Sequence, residues 1–186
     1  EKGDIIIDGG NSHFTDTLAR IEEMKDTGIH FMGVGISGGE EGARFGPSIM
    51  PGGDWEAWVS VAPVLKAIAA KVKDEPCVSY MGKNAAGHYV KMVHNGIEYA
   101  IMQLTTECYD LMKYGLGMDN EAISKVFAEW DSGEMKSFLL EITAEIFKKK
   151  DDLTDQYLVD VILDKAGAKG TGKWTSESAL NLPMPV

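Results

Sequence analysis

Cysteine is nearly missing from the 186-residue sequence, and Cys77 and Cys108 stand too far apart to form a metal or redox motif. A disulfide framework is thereby excluded, and two idle thiols are expected. Positive charge is scarce as well. Lys and Arg total 18 against 29 Asp and Glu, a net charge of -11, so the long-range field repels nucleic acid and anionic membrane surfaces. Any anionic ligand must be held by local cations. No apolar run approaches the roughly 20 residues that span a bilayer, and the opening EKGDIIIDGG lacks the basic-then-apolar pattern of a secretory signal. These absences predict a soluble, cytoplasmic protein without nucleic-acid or membrane partners. Internal repeats and low-complexity segments are also lacking. The chain starts at Glu1 and stops at NLPMPV without a closing element, so the sequence reads as a piece of something longer.

What is present is ordinary globular composition, 44% hydrophobic and 25% charged, enough for one large domain or two small ones. Twelve of the 21 glycines precede residue 54, where short β-branched runs alternate with amphipathic ones. That is α/β punctuation. DIIID (4 to 8) reads as a buried strand ending in the turn GGNS, Leu18, Ile21 and Met24 mark a helix over about 15 to 28, and IHFMGVGI (29 to 36) is the next strand. Such a βαβ unit places binding loops at the carboxyl ends of its parallel strands. Asp54 is expected to cap a helix running to about Val72, broken or kinked near Pro63, and CVSYMG (77 to 82) closes this half as a strand. From Ala86 onward the pattern turns to long helical periodicity, with helices expected at about 86 to 114, 119 to 130, 134 to 149 and 154 to 166. KKKDD (148 to 152) is read as a solvated helix end. The domain boundary is placed near Lys83 to Ala86, dividing 1–85 from 86–186.

The stretch KMVHNGIEY (91 to 99) puts ionisable groups inside a run otherwise suited to a core. At 100° per residue, with Lys91 as zero, His94, Asn95, Glu98 and Tyr99 fall at roughly -60°, +40°, -20° and +80°, a single polar stripe. The other faces carry Tyr89, Val90, Met92, Val93, Ile97, Ala100, Ile101 and Leu104, so the helix should be buried all round with its stripe facing a cavity. Desolvation pulls a buried lysine toward the neutral amine while a nearby carboxylate pulls it back, and such a pair can trade protons near pH 7. Two loops could complete the site. GISGGEEGARFG (35 to 46) exposes backbone N–H groups around Ser37, Gly38 and Gly39, and GGNS puts Asn11 at the same end of the sheet. A third loop, GAKGTGKW (167 to 174), satisfies G-x4-G-K, but Trp174 stands where a P-loop needs Ser or Thr for Mg²⁺. The nucleotide-triphosphate reading is rejected, and Lys169, Thr171 and Lys173 remain as a grip for a substrate phosphate.

The strings GDIIIDGGNS, SGGEEGAR-GPS-MPGG, GH-VKMVHNGIEY, MQL, SFL-EIT and AG-KGTGKWT are spread over almost the whole chain, from residue 3 to residue 175. Together, in this order, they resemble the decarboxylating 6-phosphogluconate dehydrogenases. The resemblance implies an α/β then all-α chain: the C-terminal portion of a Rossmann-type NADP-binding domain, followed by the start of a large helical substrate and dimerisation domain. It implies Lys91 as general base and acid and Glu98 as second acid. It also implies substrate contacts at Asn11, Ser37, Gly38, Gly39, His94, Asn95, Tyr99, Lys169 and Thr171, with Asn11 also facing the NADP cofactor, 6-phosphogluconate as substrate, no metal, and a homodimer. Where the family usually continues GIEYGDMQL this sequence has Ala100-Ile101, at about 180° and 280° on the wheel, so altered packing rather than lost chemistry is expected. The dinucleotide fingerprint G-x-G-x-x-G and the residues that read the cofactor's 2′-phosphate are expected to be missing from this chain. The rivals are a related β-hydroxyacid dehydrogenase acting on a small unphosphorylated acid, and an inactive fragment that keeps fold and dimerisation surface.

Overall fold

The computed structural model describes residues 1–167 and 170–185. Two compact units make up the chain, Glu1–Ile97 with Lys169–Val186 and Glu98–Ala168, and the longest helix runs through both.

In the first unit, strand β1 (Ile5–Asp8), helix α1 (Phe14–Met24) and strand β2 (His30–Ser37) form the expected βαβ unit, with β1 and β2 parallel from Ile5 beside His30 to Asp8 beside Gly33. β3 (Ser48–Pro51) pairs antiparallel on the other side of β2, so the sheet order is β1-β2-β3. β1 is therefore an edge strand, and Ile6 and Ile7 are exposed rather than buried as their apolar run suggests. The core gathers Met32, Val34 and Ile49 of the sheet with Ala57, Trp58 and Leu65 of helix α3 (Trp55–Ile68). Each large aliphatic side chain buried this way contributes about 1.5–3 kcal/mol.

Several expected boundaries move, for identifiable reasons. The glycine-rich segment after β2 is not all loop: Gly39–Phe45 forms a short helix, α2, entered through Gly38 at φ 142°. Asp54 sits at the N-cap of α3 but makes no side-chain cap bond; its carboxylate instead lies 2.8 Å from His30 Nδ1. α3 continues past Pro63 without a break and stops at Ile68. Val72 belongs to a small hairpin, β4 (Lys71–Val72) with β5 (Glu75–Pro76), turned by Lys73 and Asp74 at φ 51° and 68°. Two successive positive φ values are the signature of a tight primed turn, and the strand that leads into it has already left the helix. The segment 77 to 82 runs along β3 through isolated parallel bridges, Ile49 to Val78 and Gly52 to Gly82, and is not a strand.

Helix α4 (Ala86–Asp110) continues as one π-helical turn, Leu111–Gly115. It is not buried all round. Only Gly87, His88 and Met92 are fully buried, whereas Ile97, Ile101 and Leu104 are 44–62% exposed. Hydrophobicity on every face makes a helix seek partners; it does not supply them.

In the second unit, α5 (Asn120–Ser132), capped by the Asp119 carboxylate, packs on α6 (Phe138–Ile146), capped by Ser137. Phe127, Ile123, Met112, Ala144 and Phe147 form its core. KKKDD follows α6 as exposed chain held by local ion pairs, Lys148 to Glu145 and Lys149 to Asp152. The helix expected over 154 to 166 shrinks to α7 (Leu158–Val161), since Ile162 already adopts an extended backbone. β-branched Val159, Val161 and Ile162 give up side-chain freedom in a helix, which favours an early stop. The remaining helix, α8 (Thr171–Asn181), belongs to the first unit. No helix among the described residues is long and apolar enough to cross a membrane.

Candidate active site

A cleft of about 260 Å³ opens at the carboxyl ends of β1 and β2. Its walls are the turn Gly9, Gly10, Asn11 and the junction Ile36 to Gly39, closed by Ala43 and Pro47. Asn11, Ser37, Gly38 and Gly39, four residues marked in the sequence, thus meet in one place. The first amides of a helix have no intrahelical acceptor, so the start of α2 offers N–H groups to a carboxylate or hydroxyls.

Lys91 reaches the same place from α4. Its Nζ donates to Asn11 Oδ1 at 2.6 Å. Missing side chains allow this approach. At Gly35 of β2 a Cβ would collide with the Lys91 stem, with Cγ only 2.9 Å away, and at Gly33 it would meet Thr17 Cγ2 at 2.6 Å and His88 Nδ1 at 2.8 Å. These two glycines, with Gly38, have the G-x-G-x-x-G spacing in GVGISG (33 to 38), contrary to the expectation that the chain lacks it. Gly33 and Gly35 lie inside β2 and are buried, where they admit α1 and α4 side chains; a pyrophosphate cradle needs the first glycine at the strand-to-helix turn.

Beneath the lysine lies a polar pair that the periodicity did not reveal. Thr17 and His88, both fully buried, meet at 2.7 Å between Oγ1 and Nδ1. Burial pushes the His88 imidazole below its ordinary pKa, against the opposing pull of Asp8, which favours the uncharged ring in the core. At the end of β1, burial raises the pKa of Asp8, but hydrogen bonds from Ser12 and Gly10, helped by the nearby Arg20, outweigh it. The carboxyl is held below the usual range. An Asp followed by Gly-Gly-Asn-Ser is a recognisable side-chain-capped turn, so this residue carried a signal in the sequence.

A second meeting point joins α4 to α8. Asn95 Nδ2 donates to Thr171 Oγ1 at 3.0 Å, and the Thr175 hydroxyl donates to the Met92 carbonyl at 2.8 Å. Gly96 makes room for this contact, since a Cβ there would meet Thr175 Cβ at 2.6 Å. Trp174, which ruled out the P-loop, packs edge-on against His13 at 4.7 Å between ring centroids. Residues 163 to 167, ahead of the glycine loop, have no regular structure, so among the described residues no strand leads into it as a P-loop requires. His94 is exposed on α4 beside Asn95. Glu98 and Tyr99 belong to the second unit, the former half-buried and the latter exposed. Lys169 lies outside the described residues.

Known proteins resemble this chain over its whole length. The family model described as the NAD binding domain of 6-phosphogluconate dehydrogenase matches residues 1–82, and the one described as the 6-phosphogluconate dehydrogenase C-terminal domain matches residues 87–186. The chain is 61% identical over 188 residues to a decarboxylating 6-phosphogluconate dehydrogenase of Lactococcus lactis. It is 61% identical over 186 residues to an NADP(+)-dependent, decarboxylating one of Bacillus subtilis. Each match takes in 100% of this chain and 40% of the relative, so the chain spans about 40% of the length of these relatives. A solved structure of Plasmodium falciparum 6-phosphogluconate dehydrogenase, described in its apo form and in complex with NADP+ and with 6-phosphogluconate, superimposes with a TM-score of 0.94 at 52% identity. That superposition covers 100% of this chain and 40% of the other. A 3-hydroxyisobutyrate dehydrogenase from Salmonella typhimurium matches at TM-score 0.71 and 16% identity, covering 100% of this chain and 60% of that one, a likeness of fold alone. With the two family models matching residues 1–82 and 87–186, the chain belongs to the 6-phosphogluconate dehydrogenase family.

Proposed function

We propose that the chain is part of an enzyme that oxidises and decarboxylates 6-phosphogluconate to ribulose 5-phosphate and CO₂ with reduction of NADP+. The observation that carries this reading is the 2.6 Å contact of Lys91 with Asn11 beside the cleft lined by Ser37, Gly38 and Gly39. The names of the Lactococcus and Bacillus relatives, and the ligands named for the Plasmodium structure, support it.

NADP+, when bound, accepts the hydride from C3. Asn11, at the carboxyl end of β1 where side-chain-free Gly9 and Gly10 leave space, is the residue of this chain assigned to face it. Lys91 takes the C3 hydroxyl proton as the hydride leaves. In the resulting 3-keto acid the ketone receives the electron pair of the breaking C1–C2 bond, CO₂ departs, and Lys91 returns its proton to the carbonyl oxygen. Glu98 then protonates the enediol carbon that becomes C1 of the pentose, while the C3 hydroxyl proton goes back to Lys91. Ser37, Gly38, Gly39, His94, Asn95 and Tyr99 are assigned to the sugar acid's carboxylate and hydroxyls, and Lys169 with Thr171 to its phosphate. In a chain of net charge -11 the phosphate needs such a local grip.

The same reading makes 1–85 the cofactor part and 86–186 the start of the substrate and dimerisation part, a division near which the two family models also part. It further makes the whole protein a cytoplasmic homodimer of the pentose phosphate pathway and of gluconate utilisation. The test compares kcat/KM of the whole protein for 6-phosphogluconate, gluconate and 3-hydroxyisobutyrate. Charge-assisted hydrogen bonds contribute about 1.5–3 kcal/mol each, so gluconate should be poorer by roughly a hundredfold or more, and 3-hydroxyisobutyrate should be inert. Preference for an unphosphorylated acid would favour the related β-hydroxyacid dehydrogenase instead.

A further inference from the structure

We propose that Asp8 is a positioning residue that holds Lys91 in place through Asn11. The inference rests on the reading of Lys91 as the proton-transfer group. The two residues that flank Asn11 are tied to one carboxylate: Asp8 Oδ1 accepts the Gly10 N–H at 2.9 Å, and Oδ2 accepts the Ser12 hydroxyl at 2.8 Å. With the chain pinned on both sides, Asn11 has little freedom left. Its Oδ1 is thereby aimed at Lys91 Nζ, 2.6 Å away.

Three further features fit this role. Gly10 lets the carboxylate close over the turn, since a Cβ there would stand 3.1 Å from Asp8 Oδ1. Arg20 of α1 reaches Oδ2 at 3.5 Å, which anchors the carboxylate to a second element. His88, one helical turn before Lys91, is held to α1 by Thr17, so α4 is fixed near its own end of the contact. Asp8 is not itself among the residues that line the cleft; it is tied to one of them, Gly10, and it acts by setting the orientation of the residue between Gly10 and Ser12. A merely structural Asp8 would stabilise the turn without transmitting anything to the lysine.

The test is a mutant cycle in the whole protein with Asp8→Asn, Asn11→Ala and the double variant, read in two ways. The first readout is the rate at which an amine-reactive acetylating reagent labels Lys91, followed by mass spectrometry of its peptide. Asp8→Asn should raise that rate severalfold, Asn11→Ala at least as much, and the double variant no further than Asn11→Ala. The second is turnover of 6-phosphogluconate, where Asp8→Asn should lower kcat about tenfold with KM changed less than about threefold, again with no added loss in the double variant. Should Asp8→Asn fail to fold, Ser12→Ala removes one tether and leaves the carboxylate, and it should show the same pattern at about a third of the size. Unchanged labelling, or effects that multiply on the Asn11→Ala background, would overturn the proposal. A wild-type protein that makes no NADPH from 6-phosphogluconate overturns the proposed function instead, and the labelling cycle still decides whether Asp8 positions the lysine.

Discussion

Lys91→Met in the whole protein is expected to lower the rate of NADPH formation from 6-phosphogluconate by about 10²–10⁴-fold, the usual contribution of a positioned proton-transfer group. Methionine keeps most of the stem that passes Gly35 but can neither take the C3 hydroxyl proton nor return it. Substrate affinity should change by less than about tenfold, because Ser37, Gly38, Gly39, Asn95 and Thr171 are untouched by the substitution. Single-turnover absorbance and equilibrium binding separate the two quantities. A near wild-type rate would remove Lys91 from the chemistry.

The second large effect falls on folding. Gly87 in the first turn of α4 lies against backbone: a Cβ there would stand 2.6 Å from the Gly52 amide nitrogen and closer still to the carbonyl oxygens of Gly33 and Met50. None of these is the end of a side chain that could swing aside. Gly87→Ala should therefore destabilise the protein by about 3 kcal/mol or more, far beyond the roughly 1 kcal/mol that alanine gains over glycine in a helix. Gly115→Ala is the control, since nothing lies within 4 Å of a Cβ at that position, and it should move stability by less than about 1 kcal/mol. Denaturant midpoints of the two variants test the contrast, and equal shifts would contradict the close approach of α4 to the sheet.

The contrast between these residues also marks what the sequence could disclose. Strand β1, helix α1 and strand β2 were legible because DIIID, the Leu18-Ile21-Met24 spacing and IHFMGVGI are local patterns of a single period. Asn11 and Ser37 to Gly39 followed, since parallel strands place their carboxyl-end loops together. Lys91 stood out as a charge in an apolar run. The Thr17 to His88 pair joins positions 71 residues apart, and the contacts of Gly33, Gly35 and Gly87 are defined by what another element brings, so no local period encodes them. The short helix α2 was hidden for the opposite reason. Glycine costs about 1 kcal/mol in a helix, so Gly39 and Gly42 argued for a loop, and the tertiary setting overrode the propensity. At Lys73 and Asp74 a positive-φ turn without glycine or asparagine left the hairpin unannounced, and the helix was carried to Val72. The polar stripe of KMVHNGIEY kept its chemistry in view, but the burial expected for the rest of that helix required packing partners that periodicity cannot count.

The central claim is that Lys91 serves a reaction in which oxidation is followed by loss of C1. It is tested most directly by giving the whole protein NADP+ and 6-phosphogluconate labelled at C1, and measuring labelled CO₂ against NADPH in the same sample. One mole of labelled CO₂ per mole of NADPH is predicted, with both lost together in Lys91→Met. NADPH without labelled CO₂ would make the protein a simple hydroxyacid dehydrogenase, and would contradict the account.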